Sequence, residues 1–395
     1  MGFAPAWSLD APLSGTPQPE VSRLVPADLD GDGVDELIAL RANFVVALHA
    51  DGEVLWEQTT GGRARAAAVG DLTGDGAPDV LVGCEDESLY VYSAGGELLR
   101  HQNVDVGLVR GSGSVKTPKV GAVAINDFED DGVPDIIVGC LSGHLIRYDT
   151  DFEMQWMYPK VNHGTREMCF VDILGEGVKQ VVLGDHYGAV LIVDAGGKRH
   201  GGAGSELGDV EFDVGDMDGE GRMEIINGSS TGRLVAWTQG ERRPQRTWEF
   251  DNFGYANADI VMADLTGDGL PEALVASATG YLYALDAQGG VVAQASLPDG
   301  ATNLALLERD GEVAEVLVAC SDGSVVALDC GLEVVRRHRL GSAALWVEVL
   351  EGATPVVAVG CRDGSVHALR AADGALVWQF HACPQRRLIV SRGQL

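Results

Sequence analysis

An internal repeat constrains the fold of this chain more than any other feature of its sequence. "ADLDGDGVDELIAL", residues 27–40, places four carboxylates in nine residues and runs directly into an apolar segment. Seven related copies begin at Gly70, Asn126, Val171, Gly215, Ala263, Leu306 and Glu348. The eight copies are spaced roughly 40 to 56 residues apart, a period that is typical of propellers.

The second half of each copy predicts a hairpin. After the apolar segment come alternating segments around a short glycine turn, as in "VVALHADGEVLWEQ" (45–58), "LYVYSAGGELLRHQ" (89–102) and "VHALRAADGALVWQF" (366–380). This pattern is typical of β-hairpins. One repeat therefore contains a strand before the acidic loop, a strand after it and two strands in a hairpin. Four-stranded units arrayed around an axis form a β-propeller. We expect an all-β, eight-bladed β-propeller of four-stranded antiparallel blades.

The repeats leave little of the chain outside one domain. Because a repeat ring can use a long chain as one unit, residues 1–395 are predicted to form a single β-propeller domain. Its repeats begin near residues 22, 64, 118, 166, 209, 257, 302 and 343. "PAWSLDA" near the N-terminus looks like the outer strand of a blade, such as "VLWEQTT". We therefore expect residues 1–15 to supply a closing strand that removes exposed sheet edges. The alternative is an unattached N-terminal arm.

The acidic loops indicate a hard cation. Ca²⁺ takes six to eight oxygen ligands, and glycine allows the sharp turn that wraps them around the ion. An EF-hand is excluded, because its bidentate Glu at loop position 12 would fall on Ala39, inside the apolar segment. The loop instead closes at position 9, which is Glu36.

Five copies keep oxygen-bearing side chains at positions 1, 3, 5 and 9, and they predict about five Ca²⁺ sites. The predicted ligands are Asp28, Asp30, Asp32 and Glu36; Asp71, Thr73, Asp75 and Asp79; Asp127, Glu129, Asp131 and Asp135; Asp216, Asp218, Glu220 and Glu224; and Asp264, Thr266, Asp268 and Glu272. The alternative is a set of solvated Asp/Gly turns. These loops contribute much of the net charge of −31.

The other three copies have lost the ligand pattern. The copy at Asp172 has Leu174 at position 3 and Gln180 at position 9, so we expect that loop to hold no metal. The copies near Leu307 and Glu348 no longer match at all.

These motifs resemble two known repeat families. The acidic loop followed by "VLVG" resembles the FG-GAP/VCBS repeat of integrin α-subunit propellers. The second half is similar to the PQQ-like propeller repeat, whose outer-strand tryptophan is matched by Trp56, Trp156, Trp248 and Trp378. The resemblance covers nearly the entire chain and implies a propeller whose loops bind calcium for stability. It implies little about activity, because this fold hosts many unrelated functions.

The sequence favours a non-catalytic binding or scaffolding module. It contains no H-E-x-x-H motif, G-x-S-x-G elbow or P-loop. A quinoprotein-like dehydrogenase is one alternative, but resemblance to that family implies adjacent cysteines, and no two cysteines here are adjacent. A polysaccharide lyase is a second alternative, on fold analogy alone. Either enzyme would have its active site at the axial mouth, where residues from separate blades escape a motif search.

Two expanded loops between blades predict a partner site on the face opposite the acidic loops. Residues 103–120 and 158–168 contribute Arg110, Lys116, Lys119, Lys160, His163 and Arg166. Loops on a rigid scaffold are common carriers of function. We expect this basic patch to dock an acidic peptide, a carboxylate or a partner protein on a monomeric propeller. The alternative is a pair of solvated insertions, and the overall acidity disfavours nucleic acid.

The expected location is the cytoplasm. No segment of 18 apolar residues is free of charge, so no membrane span is predicted. The start of the chain lacks the basic and apolar regions of a signal peptide. The odd number of cysteines, seven, favours a reducing compartment. Calcium is more available outside the cell, so a periplasmic or extracellular location, with a leader missing from this chain, is the alternative.

Overall fold

A computed structural model describes residues 20–106, 117–161, 164–185, 188–204, 210–239, 244–382 and 388–392 of the chain. Every regular element in these residues is a strand, and the strands form eight antiparallel sheets. The predicted eight-bladed β-propeller with four antiparallel strands per blade is confirmed. None of the described segments forms a helix able to cross a membrane.

Each blade takes consecutive strands, ordered from the axis outwards. Blades one to four consist of β1 (Val21–Ala27), β2 (Glu36–Arg41), β3 (Phe44–Leu48) and β4 (Val54–Thr59); β5 (Ala64–Gly70), β6 (Asp79–Cys84), β7 (Ser88–Ser93) and β8 (Leu98–Asn103); β9 (Val120–Asn126), β10 (Asp135–Cys140), β11 (His144–Tyr148) and β12 (Met154–Tyr158); and β13 (Thr165–Val171), β14 (Gln180–Asp185), β15 (Ala189–Val193) and β16 (Arg199–Gly204). Blades five to eight consist of β17 (Val210–Gly215), β18 (Glu224–Ser229), β19 (Arg233–Gln239) and β20 (Pro244–Asp251); β21 (Asn257–Ala263), β22 (Glu272–Ser277), β23 (Tyr281–Leu285) and β24 (Val291–Ser296); β25 (Ala301–Arg309), β26 (Glu312–Cys320), β27 (Ser324–Leu328) and β28 (Val334–Arg339); and β29 (Ala344–Leu350), β30 (Val356–Cys361), β31 (Ser365–Arg370), β32 (Leu376–Ala382) and β33 (Leu388–Arg392).

The apolar core lies between the blades. The second strand is buried along its whole length in blades one to six and in blade eight. Both of its faces are covered by neighbouring blades, which explains why it is a continuous apolar run in the sequence. Each apolar cluster joins two consecutive blades, and one of them joins blade eight to blade one.

A β-bulge near the start of most first strands ties neighbouring blades together. The bulge leaves Ser22 and Thr302 outside the ladder of their own blade. The Ser22 hydroxyl donates to the Ala64 carbonyl at 2.9 Å, and the Thr302 hydroxyl donates to the Ala344 carbonyl at 2.9 Å. An extra residue that re-aims its side chain is what a bulge supplies. The first strands are thus joined blade to blade by side chains as well as by packing.

The outer-strand tryptophans dock onto the hairpin of the next blade. Trp378 of blade eight donates its indole N–H to the Ala50 carbonyl in blade one, at 2.7 Å. Its ring covers Gly52, where an added Cβ would lie 2.6 Å from Trp378 Cγ and where φ is +86°. Only glycine suits that backbone conformation at so close an approach. The same packing recurs for Trp56, Trp156 and Trp248.

Blade eight closes the ring against blade one through side chains and backbone. The Asp35 N–H donates to the Glu351 carbonyl, and the Glu351 N–H donates to Asp35 Oδ2, both at 2.9 Å. All four inner strands of blade eight come from its own repeat, and β33 pairs antiparallel with the outer edge of β32. The predicted closing strand, residues 1–15, lies outside the described residues.

Candidate metal loops and axial cavity

The chain topology gathers the acidic loops on one side of the ring. Each loop joins a first strand to a second strand, so all of them lie on one face, here called the acidic face. The opposite face, here called the entry face, is where the first strands begin and where the loops between blades lie.

The first aspartate of each acidic loop holds the turn together. Asp28 accepts the N–H of Gly31 at 2.7 Å and the N–H of Gly33 at 3.0 Å. The same acceptor role is taken by Asp71, Asp127, Asp172, Asp216 and Asp264. Hydrogen bonds to backbone N–H groups favour the charged carboxylate, and they lower the pKa of three of these groups, Asp71, Asp127 and Asp264.

The carboxylate at position 9 is buried and closes the loop. In blade one, Glu36 is 1% exposed and accepts the Leu29 N–H at 2.9 Å. The equivalent bond reaches Asp79, Asp135, Glu224 and Glu272. One oxygen of each carboxylate is thereby satisfied by the backbone. The group that satisfies the second oxygen differs between blades.

Blade three carries its own cation. Arg147 donates from Nε to Asp135 Oδ1 at 2.8 Å, from Nη2 to Glu129 Oε2 at 2.6 Å and from Nη1 to the Ala195 carbonyl at 2.8 Å. Lys179 of blade four adds an ion pair with Asp130 at 2.8 Å. The guanidinium occupies the carboxylates at positions 3 and 9 that Ca²⁺ would need. The residues of blade three therefore do not fit the calcium ion that the loop pattern predicts.

The Arg147 position is otherwise apolar throughout the ring. The equivalent residues lie on the third strand, where each pairs with the second-strand residue two positions after position 9. They are Ala47, Val91, Ile192, Ala236, Ala284, Ala327 and Ala368. The sequence analysis missed this replacement, although one arginine in a column of small apolar residues was a visible signal.

Two other blades also pair the position-9 carboxylate with a side chain. In blade one, His49 Nδ1 lies 2.9 Å from Glu36 Oε1. In blade seven, Glu315 keeps the acidic position after the rest of the motif has been lost, and Arg336 binds it with Nη1 3.0 Å from Oε1. Blade four has replaced the acid by Gln180, whose Oε1 accepts the Leu174 N–H at 3.1 Å. A neutral amide needs no cation, which agrees with the loop without metal that we expect in blade four. That expectation stays a prediction.

Blade five has carboxylate oxygens with no partner. Ligand atoms of Asp216, Asp218 and Glu224 all lie within 4.8 Å of one another. Asp216 Oδ1 and Glu224 Oε1 are buried and make no hydrogen bond to any residue that the structure describes. Burial, together with the charges of Asp218 and Asp216, raises the pKa of Glu224. Because an unpaired buried charge is costly, this donor set fits a divalent cation.

The remaining loops offer oxygen ligands with less burial. Asp28, Asp30 and Asp32 in blade one lie within the same 4.8 Å limit but are largely open to solvent. In blade two, burial raises the pKa of Asp79. In blade six, Thr266 Oγ1 lies 3.5 Å from Glu272 Oε1. These three loops contain no arginine or lysine in the place that Arg147 takes in blade three.

The predicted basic patch is only partly within the described residues. Arg110, Lys116, His163 and the side chain of Arg166 lie outside them. Lys119 donates to Glu85 Oε2 at 3.0 Å, and Arg65 Nε donates to the other oxygen of Glu85 at 2.5 Å. Lys160 lies exposed on its loop. Lys119, which we predicted to contact a partner, therefore takes part in an ion-pair cluster at the rim of the entry face.

The entry face leads to a cavity on the axis. The first strands of blades one to five enclose about 190 Å³, lined in part by Arg23, Arg65, Ala122, Glu167 and Phe212. Each of these five blades contributes only one to three residues, so no single stretch of the sequence predicts the cavity. The sequence analysis placed an active site at the axial mouth only as an alternative and did not name Arg23, Arg65, Ala122 or Glu167.

On the far side of the axis, polar side chains link the first strands. Asp213 accepts the Met262 N–H and Asp259 accepts the Leu304 N–H, both at 2.7 Å. Asn303 continues the series by accepting the Val347 N–H at 2.8 Å. Burial raises the pKa of Asp213, and it raises the pKa of Asp259 to about 7. These groups join blades five to eight and have a structural explanation.

Comparison with known proteins supports the fold and leaves the family open. A family model described as the lambda-carrageenase beta-propeller domain matches residues 224–295, from the second strand of blade five to the fourth strand of blade six. No match was found among curated protein sequences.

Several solved structures share the architecture at low identity. Sqt1 of Chaetomium thermophilum, solved with the N-terminus of ribosomal protein L10, has a TM-score of 0.66 at 10% identity, covering 90% of this chain and 97% of that one. BamB from Moraxella catarrhalis has a TM-score of 0.61 at 14% identity, with 88% and 98% covered. BBS1N in complex with ARL6DN has a TM-score of 0.54 at 16% identity, with 78% and 90% covered. Likeness at this level of identity shows the fold alone.

Proposed function

We propose that this chain is a non-catalytic binding scaffold, a propeller stabilised by Ca²⁺ on its acidic face and recognising its ligand or partner on its entry face. The observation that carries the calcium part is the pair of buried, unpartnered oxygens on Asp216 and Glu224. Asp216, Asp218 and Glu224 would hold the ion in blade five, and the corresponding residues would hold it in blades one, two and six. Bound Ca²⁺ supplies positive charge that offsets carboxylate repulsion, and no reaction step is assigned to it.

The binding part rests on the division between the two faces. The entry face combines the axial cavity, the ion-pair cluster of Arg65, Glu85 and Lys119, and the predicted basic patch. Loops on a rigid framework are where propeller-like scaffolds place recognition. Two of the structural neighbours were solved with protein partners, ARL6DN in one case and the N-terminus of ribosomal protein L10 in the other. A protein or an acidic ligand is accordingly the proposed partner of this monomeric ring.

A single substitution in blade five tests the calcium part. Metal bound only by the folded state stabilises it by about 2.7 kcal/mol at a concentration 100 times Kd. Glu224→Gln keeps the size of the side chain and removes its charge, so it is expected to lower the calcium stoichiometry by one and reduce the calcium-induced rise in Tm. The control, Glu176→Gln, changes an exposed acid in the loop of blade four and is expected to leave both unchanged. Equal stoichiometry for wild type and Glu224→Gln would overturn this assignment.

A polysaccharide-degrading enzyme is the second candidate, because the matching family model describes a carrageenase propeller domain. Incubation of the purified chain with carrageenan, followed by measurement of new reducing ends, separates the two functions. The scaffold proposal expects none above the level of a boiled sample, and time-dependent release would favour the enzyme.

A further inference from the structure

Arg23 stands out among the side chains of the axial cavity. Its guanidinium lies 4.8 Å from the centroid of the Trp346 indole ring, in a cation–π contact across the junction of blades one and eight. In the part of the chain that the structure describes, it forms no hydrogen bond and no ion pair. Arg65, on the adjacent first strand, is paired with Glu85. Arg23 is therefore a partly buried guanidinium that forms no ion pair with a described carboxylate, in a chain that has 59 acidic residues.

The charge of Arg23 acts on the carboxyl groups of Asp259 and Glu348, but neither group forms an ion pair with it. Asp259 is already bound by the backbone of blades six and seven, at Ile260 and Leu304. Burial raises the pKa of Glu348 to about 7, and the charge of Arg23 opposes that rise without forming an ion pair. The guanidinium has five N–H donors, and none of them is hydrogen-bonded to a residue that the structure describes.

The cavity limits what could satisfy those donors. Its volume of about 190 Å³ is below the roughly 300–1,000 Å³ of sites for drug-sized ligands. The lining is mixed, because Ala66, Ala122 and Phe212 are apolar whereas Arg65 and Glu167 are charged. A planar guanidinium binds a carboxylate through two parallel hydrogen bonds. The chemistry of the site therefore suits a carboxylate attached to a small apolar body.

We propose that the axial cavity binds the carboxylate of a small ligand through Arg23, with the apolar body of the ligand against the alanine and phenylalanine lining. The proposal rests on the proposed function, since it names the chemistry recognised at the entry face. The carboxylate belongs either to a free organic acid or to the C-terminus of a peptide, and the probes below distinguish these sources.

The test uses the purified full-length chain in millimolar calcium, titrated with butyrate, with butyramide, and with trialanine bearing either a free or an amidated C-terminus. Isothermal titration calorimetry gives Kd. We expect butyrate or the free-acid peptide to bind and the two amides not to bind. Binding of butyrate identifies a free acid as sufficient, whereas binding of the free-acid peptide alone identifies a C-terminus. If neither butyrate nor the free-acid peptide binds, or if the matching amide binds equally well, the proposal is overturned.

Variants assign the binding to Arg23. Arg23→Gln is expected to raise Kd about tenfold or more, in line with the loss of a charged hydrogen-bonded pair. Arg23→Lys keeps the charge but loses the planar fork, so an intermediate Kd is expected. The matched control is Arg100→Gln, because Arg100 makes the same kind of contact with Phe152, at 4.5 Å, away from the cavity. Equal losses in Arg23→Gln and Arg100→Gln would contradict the assignment.

A calcium titration of the same samples keeps the two proposals separable. If Arg23→Gln retains calcium-induced stabilisation, the variant is folded, and its loss of carboxylate binding supports the assignment of the binding site to Arg23. If wild type shows calcium stabilisation but binds no acid, the carboxylate proposal fails while the calcium part of the proposed function stands. If Arg23→Gln does not fold, the Kd of Arg23→Lys decides, and a Kd equal to that of wild type contradicts the role of the fork.

Discussion

Replacing Arg147 by alanine isolates the internal cation of blade three. The change removes the ion pairs with Asp135 and Glu129 and the hydrogen bond to the Ala195 carbonyl in blade four. The side chains of Arg147 and Asp135 are 12% and 9% exposed, so Asp135 would be left as a buried carboxylate without its cation. Removing one partner of a buried pair costs about 3–5 kcal/mol.

The other contact contributes less to this loss. Glu129 is 54% exposed, and ion pairs of that kind contribute about 0–1 kcal/mol. We expect Arg147→Ala to lower the free energy of unfolding by about 3–5 kcal/mol in the absence of calcium. Millimolar calcium should restore part of the loss, because the freed carboxylates of blade three become an oxygen site like that of blade five.

Urea unfolding followed by circular dichroism, with and without calcium, measures both effects. The control is Arg222→Ala, which breaks a pair whose side chains, Arg222 and Glu220, are 64% and 62% exposed, so the expected loss is at most about 1 kcal/mol. Similar losses for the two variants would refute the role given to Arg147. A loss in Arg147→Ala that calcium leaves unchanged would refute the argument that guanidinium and metal compete for the same carboxylates.

Three further predictions follow from ring closure, axial burial and the cysteines. Gly52→Ala should destabilise the fold by about 2–5 kcal/mol, because it combines positive-φ strain with a clash against Trp378. The control Gly76→Ala, at the same φ but with open space around it, should cost only about 1–2 kcal/mol. Equal urea midpoints for the two variants would contradict the contact between Trp378 and Gly52. Burial raises the pKa of Glu348 from 4.5 to about 7, so the native state holds a proton that the unfolded state releases. The free energy of unfolding should therefore fall as pH rises from about 4.5 to 7, and Glu348→Gln should make that fall shallower. An unchanged slope in Glu348→Gln would contradict the role given to Glu348. Burial raises the pKa of Cys140, Cys320 and Cys361 to about 12, so these thiols should resist a thiol reagent until urea unfolds the chain, as a timed labelling assay would show.

The fold was predictable because the sequence repeats both the turns and the alternation of its strands. The acidic loop marks the junction of strands one and two, and the glycine turn marks the junction of strands three and four. In every blade except the seventh, the second strand is buried along its whole length and is therefore a continuous apolar run. The tryptophans could be placed on outer strands, but their contacts with the next blade, such as Trp378 on Gly52, depend on the spacing between blades.

The candidate sites were less accessible to sequence reasoning because each combines residues from different strands or blades. Loop composition predicts where carboxylates gather but not whether a distant side chain neutralises them. Arg147 reaches the loop of its own blade from the third strand, and Lys179 reaches it from the next blade. The axial cavity brings together Arg23 and Phe212 from blades one and five. The spacing of residues within one repeat therefore cannot predict which side chains from different blades line the cavity.

The number of calcium ions bound per chain tests the central claim most directly. Equilibrium dialysis followed by elemental analysis should give four for wild type, one each for blades one, two, five and six, with five for Arg147→Ala and three for Glu224→Gln. Five ions in wild type with no change in Arg147→Ala would contradict the internal cation of blade three. No retained calcium in any of the three proteins would contradict the metal-stabilised acidic face as a whole.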